Sequence, residues 1–248
     1  MAGYRIPFFK PAVTEDDIQA VIETLRSGWL TSGPNVAALE AELAAYCGAP
    51  YVNAVNSCTA ALHLALAAWG IGPGDEVITT PYTFCATATV VLHVGARPVF
   101  ADVRERDCNI DPEQIERAIT PRTKAIIPVH FAGERCDMDA IMAIAKRHNL
   151  RVLEDAAHAV GSLYHGRPIG GIGDATAFSF YATKNMTTGE GGALATADEA
   201  TSNRVKSLTL HGMNRDAWNR YDPGGSWRYD VEAFGFKDNL TDMAAALG

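Results

Sequence analysis

The sequence predicts an α/β protein, a mostly parallel sheet with helices on both faces. Short β-rich apolar runs alternate with stretches of helical periodicity from Tyr51 onward. Turn residues, Gly72-Pro73-Gly74-Asp75 and Gly95-Ala96-Arg97-Pro98, fall where a helix should hand over to a strand. At 248 residues and 48% hydrophobic composition, the chain is long enough for one large core.

The first expected helix follows Thr14-Glu15-Asp16-Asp17, with Thr14 as its cap and Ile18, Val21, Ile22 and Leu25 as its apolar stripe, ending before Gly28. Strand and helix then alternate: Tyr51 to Val55 with Ala60 to Trp69, Glu76 to Thr79 with Phe84 to Val94, and Pro98 to Ala101 with Pro112 to Ile119. Lys124 to Val129, Met138 to His148 and Arg151 to Leu153 continue the series. After Asp155 the pattern changes. Gly161 to Gly173 reads as a glycine-rich loop, followed by short strands at Thr176 to Phe180 and Gly192 to Thr196 and a helix from about Glu199 to Leu210. A last helix is expected over Leu240 to Leu247, with Thr241 or Asp242 near its start.

The net charge of -8 supplies no basic field for nucleic acid, although it permits a local positive pocket. Met1 to Val13 carries charges and two prolines instead of the apolar stretch of a signal peptide, and no run approaches membrane-spanning length. The five cysteines, Cys47, Cys58, Cys85, Cys108 and Cys136, are scattered without Cys-x-x-Cys spacing. A reduced cytoplasmic location is the expectation, with no metal site, nucleic-acid partner or membrane association.

Two segments carry the chemistry. Lys184 lies between the apolar Phe178-Ser179-Phe180 and the turn Gly189-Glu190-Gly191-Gly192, and Asp155 ends the run that begins at Arg151. An amine and a carboxylate, each at the end of its own strand, suit the two ends of a pyridoxal phosphate ring: the amine for its aldehyde, the carboxylate for its pyridine nitrogen. Asp155 also reads as a cap for a helix starting at Ala156. Asn56-Ser57-Cys58-Thr59-Ala60-Ala61 joins a strand to an Ala/Leu-rich helix, so the amides of Cys58 and Thr59 would meet an anion at the helix N-terminus. Ser179 adds a hydroxyl, since its phenylalanine neighbours alternate to the opposite face.

These motifs, with Thr80-Pro81-Tyr82-Thr83-Phe84 and Ile127-Pro128-Val129-His130-Phe131-Ala132-Gly133, resemble the DegT/DnrJ/EryC1/StrS family of sugar-nucleotide aminotransferases, most of all its 4-amino-sugar-forming members. The resemblance implies the large domain of a fold-type I pyridoxal phosphate transferase over residues 1–248, without the smaller C-terminal domain of such proteins. It implies Lys184 as the lysine that condenses with pyridoxal 5'-phosphate, Phe84 on the ring face and His158 beside the ring. Asn239 would reach the phosphate of a neighbouring subunit in a homodimer with shared active sites. Here the chain departs from the family pattern, having Asp238 where relatives usually carry tyrosine or methionine. Gly28-Trp29-Leu30-Thr31-Ser32-Gly33-Pro34 resembles a loop at the mouth of the substrate site. The implied partners are glutamate and a keto sugar nucleotide aminated at C4, in polysaccharide or lipopolysaccharide biosynthesis. Amination at C3 and a catalytically inert cofactor-binding fragment are the alternatives. His130 and His211 stand outside the expected catalytic set, as either could serve structure alone.

Overall fold

The computed structural model describes Pro7 and residues 9–213 and 230–248; residues 1–6 and 8, part of the segment expected to carry no signal peptide, lie outside the described residues. Two helices come first. α1 (Glu15–Ser27) starts at a capping box in which Thr14 and Asp17 each accept the other's backbone N–H, and it stops at Gly28 in the left-handed region. α2 (Pro34–Cys47) has Pro34 in its first turn and Gly48 as its left-handed stop, and buries Val36, Leu39, Leu43 and Cys47. The sequence reading missed α2, because alanines around the rest of its circumference blur that stripe.

Strands β1 (Tyr51–Val55), β2 (Glu76–Thr79), β3 (Arg97–Phe100), β4 (Thr123–Ile126) and β5 (Arg151–Asp155) come next in the chain. The expected glycine-rich loop then contains a small hairpin, β6 (Leu163–Tyr164) with β7 (Arg167–Pro168). β8 (Ala175–Ser179) and β9 (Gly192–Thr196) follow, and they join the first five in one sheet of order β1-β9-β8-β5-β4-β2-β3. Only β9 opposes the common direction, pairing antiparallel with both β1 and β8. The mostly parallel sheet is therefore present, and its other six strands end at one edge.

One face of the sheet is covered by α3 (Cys58–Ala68), α4 (Ala86–His93) and α7 (Glu199–Leu208), the other by α2, α5 (Pro112–Ala118) and α6 (Met138–His148). Alternation along the strands sorts the residues. Val77, Ala125, Ile127 and Leu153 face the α3 layer, while Ile78, Ile126 and Val152 face α6. α3 is the central helix and buries Leu62, Leu64 and Leu66 almost completely. Leu64→Ala would cost about 2–5 kcal/mol, through lost transfer energy and the cavity left behind.

The last helix, α8 (Asp242–Leu247), is capped by Thr241 and packs on α1 and α2. Its buried Asp242 carboxylate accepts the backbone N–H groups of Asn35 and Val36 at the α2 N-terminus, where a negative charge is favoured. Ser32 donates to the carbonyl of Leu240. The C-terminal segment thereby fixes the loop between α1 and α2.

Candidate active site

Strand register gathers the site. Val55 at the end of β1 lies opposite Gly192 at the start of β9, and Gly192 lies opposite Ser179 at the end of β8. One strand further, Asp155 at the end of β5 pairs with Ala177. Residues distant in sequence thus meet at the carboxyl edge of the sheet, where open α/β folds bind ligands.

The candidate anion cradle is the N-terminus of α3. Ser57 caps it by accepting the N–H of Ala60 at 3.1 Å. The N–H groups of Cys58 and Thr59 have no acceptor among the described residues. A Cβ on Gly192 would stand 2.5 Å from the Cys58 nitrogen, so only glycine lets β9 pass this close beneath the cradle. Ser179 is buried on the same face as Ala175 and Ala177, toward α3, while Phe178 and Phe180 point into the opposite core cluster. Burial and then the Asp155 charge push the Cys58 thiol well above its ordinary value, so it stays protonated.

Asp155 is buried, and one carboxylate oxygen accepts the Thr87 hydroxyl at 2.8 Å while the other accepts the Ala157 N–H at 3.2 Å. No salt bridge reaches it among the described residues. Burial raises its pKa, with the two hydrogen bonds pulling in the other direction. The residues after it form turns, not the helix that the capping reading expected; the bond from Ala157 closes a tight turn, and Gly161 adopts the left-handed region before the hairpin. His158 therefore sits in an exposed turn. Desolvation first, then the Lys184 cation, hold its imidazole below the ordinary histidine value.

Lys184 is half-buried in the turn after β8, with its N–H donating to the Tyr181 carbonyl at 2.9 Å. Thr187 and Thr188 both donate to the Phe180 carbonyl, and Asn185 donates to that of Val160, which anchors the loop at three points. A cavity of about 470 Å³ opens beside the lysine, bounded by Gly133, Glu134, His158, Ser162 and Asn185. Phe84 stands 76% exposed just before α4. An aromatic side chain so exposed is a free stacking face, where the sequence alone would more often suggest a core position.

Asn239 bridges to Val55, beside the cradle of its own chain; its amide donates to Ser32 at 2.8 Å and accepts from the Lys237 ammonium. Asp238 accepts the Asn56 N–H at 2.8 Å through its carbonyl, so the residue that departs from the family pattern buttresses the turn into α3. His130 is fully buried. The Cys136 N–H donates to its Nδ1, which leaves the proton on Nε2 to donate to Glu154 at 3.0 Å. Burial pushes the Glu154 carboxyl up, but His130, Gly173 and Thr176 more than offset it and hold it below its ordinary value. The pair serves structure. His211 is exposed, with φ of 60°.

The sequence reading missed Thr87 and the pairing of Glu154 with His130. A hydroxyl in the otherwise apolar Ala86–His93 run was the available signal for the first. The residues present fit pyridoxal 5'-phosphate: unclaimed amides for its phosphate, a buried carboxylate without a cation for its ring nitrogen, an exposed aromatic face, and an amine beside an open cavity.

The DegT/DnrJ/EryC1/StrS aminotransferase profile matches residues 11–248. Over 246 residues the chain is 60% identical to the spore coat polysaccharide biosynthesis protein SpsC of Bacillus subtilis, covering 99% of this chain and 63% of that relative. It superposes on the putative sugar aminotransferase Spr1654 from Streptococcus pneumoniae in its PMP-form with a TM-score of 0.92 and 40% identity, covering 98% of this chain and 66% of the other. The PLP-form of that protein gives 0.90. Helicobacter pylori PseC, an aminotransferase involved in the biosynthesis of pseudoaminic acid, gives 0.90 at 34% identity, covering 98% of this chain and 64% of its own. This chain thus spans less than two thirds of each relative's length. Pyridoxal 5'-phosphate is the cofactor of these aminotransferases. Matched along nearly all of its length, the chain belongs to the DegT/DnrJ/EryC1/StrS aminotransferase family.

Proposed function

We propose that this protein is a pyridoxal phosphate-dependent aminotransferase that moves an amino group from glutamate to C4 of a keto sugar nucleotide, working as a homodimer. One observation carries the reading: Asp155, buried and without a cation, lies at the same sheet edge as Lys184 and the unclaimed amides of Cys58 and Thr59. Pyridoxal phosphate supplies an aldehyde that condenses with amines and a ring that draws electrons from the adjoining carbon.

The chain's residues divide the remaining work. Cys58 and Thr59 N–H groups and the Ser179 hydroxyl bind the phosphate. Asp155 would hold the ring nitrogen in its protonated form, and Phe84 and His158 would lie against the ring. Lys184 Nζ would hold the cofactor by its aldehyde and, when free of it, would be the group that takes the proton from the donor α-carbon. Asn239 approaches the phosphate of the partner subunit. The polysaccharide role in the name of SpsC and the sugar role in that of Spr1654 support a sugar substrate.

The test is a half-reaction in which glutamate converts the bound cofactor to its amine form, followed by transfer to a panel of 3-keto and 4-keto sugar nucleotides. Amination of a 4-keto substrate is expected. Bound cofactor that glutamate leaves unconverted would overturn the donor, and amination of 3-keto substrates alone would overturn the position.

A further inference from the structure

The Asp155 carboxylate is not held by backbone alone. Thr87 is fully buried in α4, and its hydroxyl oxygen lies 2.8 Å from Asp155 Oδ2, 3.1 Å from the Phe84 carbonyl and 2.7 Å from the Thr83 hydroxyl. A hydroxyl has one proton to give. With Asp155 ionised, the charge-assisted bond to Oδ2 takes that proton, and Thr83 donates its own into the Thr87 oxygen. The Thr87 N–H also donates to the Phe84 carbonyl, at 3.2 Å, so the same residue fixes the turn that presents the exposed aromatic ring.

We propose that Thr87, backed by Thr83, is a positioning residue for amino transfer: its hydroxyl aims the ionised Asp155 at the ring nitrogen of the cofactor while its backbone sets Phe84 over the same ring. The inference rests on the pyridoxal phosphate reading above. Thr87 touches neither cofactor nor substrate and acts through Asp155. Other groups facing Asp155 leave this task to it. Cys58, on α3, places its sulfur 4.0 Å from Oδ1 as a weak donor only. His130, in the segment after β4, spends its imidazole on Glu154 and Cys136, and His158, in the turn after β5, is exposed to solvent. Removing the Thr87 hydroxyl leaves one carboxylate oxygen in a buried site without its donor, which favours the protonated acid and weakens its hold on a protonated ring.

The experiment compares wild type, Thr87→Val and Thr87→Ser in the cofactor-loaded protein, measuring cofactor affinity, the pH titration of the bound cofactor's absorption, and kcat and KM of the glutamate half-reaction. Thr87→Val is expected to keep its cofactor, because the phosphate cradle is untouched, and to lose about tenfold or more in kcat with KM little changed. The band of the protonated ring should titrate at lower pH than in wild type. Thr87→Ser should restore both. Wild-type kcat and titration in Thr87→Val would overturn the inference, as would a Thr87→Ser protein impaired as badly as the valine variant, which would mark a packing role. If Thr87→Val does not fold, Thr83→Val carries the test: a smaller shift in the same direction supports the relay, and none refutes it. A wild-type protein that binds no pyridoxal phosphate would overturn the functional reading itself, an outcome distinct from a variant that matches a loaded wild type.

Discussion

Glu76 and Asp155 are both buried carboxylates on one sheet, and the chain surrounds them in opposite ways. Glu76 begins β2, at the amino ends of the parallel strands. There Arg97 meets it at 2.6 Å, Arg122 makes two bonds at 2.6 and 2.9 Å, and Thr120 donates at 2.6 Å. Thr120 first, then Arg122 and Arg97, more than offset desolvation and hold its carboxyl down to about 2. Asp155 ends β5 at the carboxyl edge and receives one hydroxyl and one amide, with burial raising its pKa. A carboxylate with its charge fully met ties β2, β3 and the approach to β4 together. One left short of a cation is costly to the empty protein and suited to a cationic ligand.

The largest expected effect is at the carboxyl edge. Lys184→Ala should lower amino transfer on the order of 10⁴-fold, because the proposed acid–base group is removed, with little change in melting temperature. Measured rates near wild type would break the division between a chemical edge and a structural one.

Asp155→Asn sharpens the contrast. Turnover should fall on the order of 10²-fold or more, far beyond any loss of cofactor affinity, since the phosphate cradle remains. The cofactor-free variant should melt no lower than wild type, because a buried charge without a cation has been neutralised. A large drop in the melting temperature of the cofactor-free form would mean that Asp155 is as structural as Glu76.

Glu76→Gln should do the reverse, lowering the melting temperature while cofactor affinity and half-reaction rate stay unchanged. It leaves Arg97 and Arg122 facing a neutral amide. Loss of cofactor binding in a folded Glu76→Gln protein would contradict the separation of the two edges.

The smallest effect is in pH dependence. The folded Glu76 carboxyl lies at about 2 against an ordinary value of 4.5, so its contribution is complete above 4.5 and is lost as pH falls toward 2. For Asp155 the shift is upward, so the sign reverses: its cost is present above its folded pKa and vanishes below the ordinary carboxylate value of 3.8. Denaturant unfolding across this acid range should show a shallower acid loss in Glu76→Gln than in wild type, and equal slopes would refute the assignment.

What the sequence made legible follows from range. The alternation of elements and the placement of Lys184 and Asp155 rest on local patterns, and the Thr14 and Thr241 caps could be read within four residues. The Glu76 cluster could not, because Arg97 at the start of β3 and the Thr120–Arg122 turn before β4 meet Glu76 only through the parallel register. Thr87 was hidden for the same reason, 68 residues from the carboxylate it serves. The clamp of Asp242 on the α2 N-terminus spans more than 200 residues. The misread turn after Asp155 is a local failure: Ala156-Ala157 suggests a helix, but the buried Ala156 and Ala159 lie in a short turn before Gly161.

Whether the carboxyl edge around Lys184 is the cofactor site can be read chemically. The protein is incubated with pyridoxal phosphate, reduced with borohydride, digested and mapped by mass spectrometry. Reduced cofactor is expected on Lys184, with its loss in Lys184→Ala. Attachment at Lys10, Lys124, Lys146, Lys206 or Lys237 with Lys184 unmodified would contradict it.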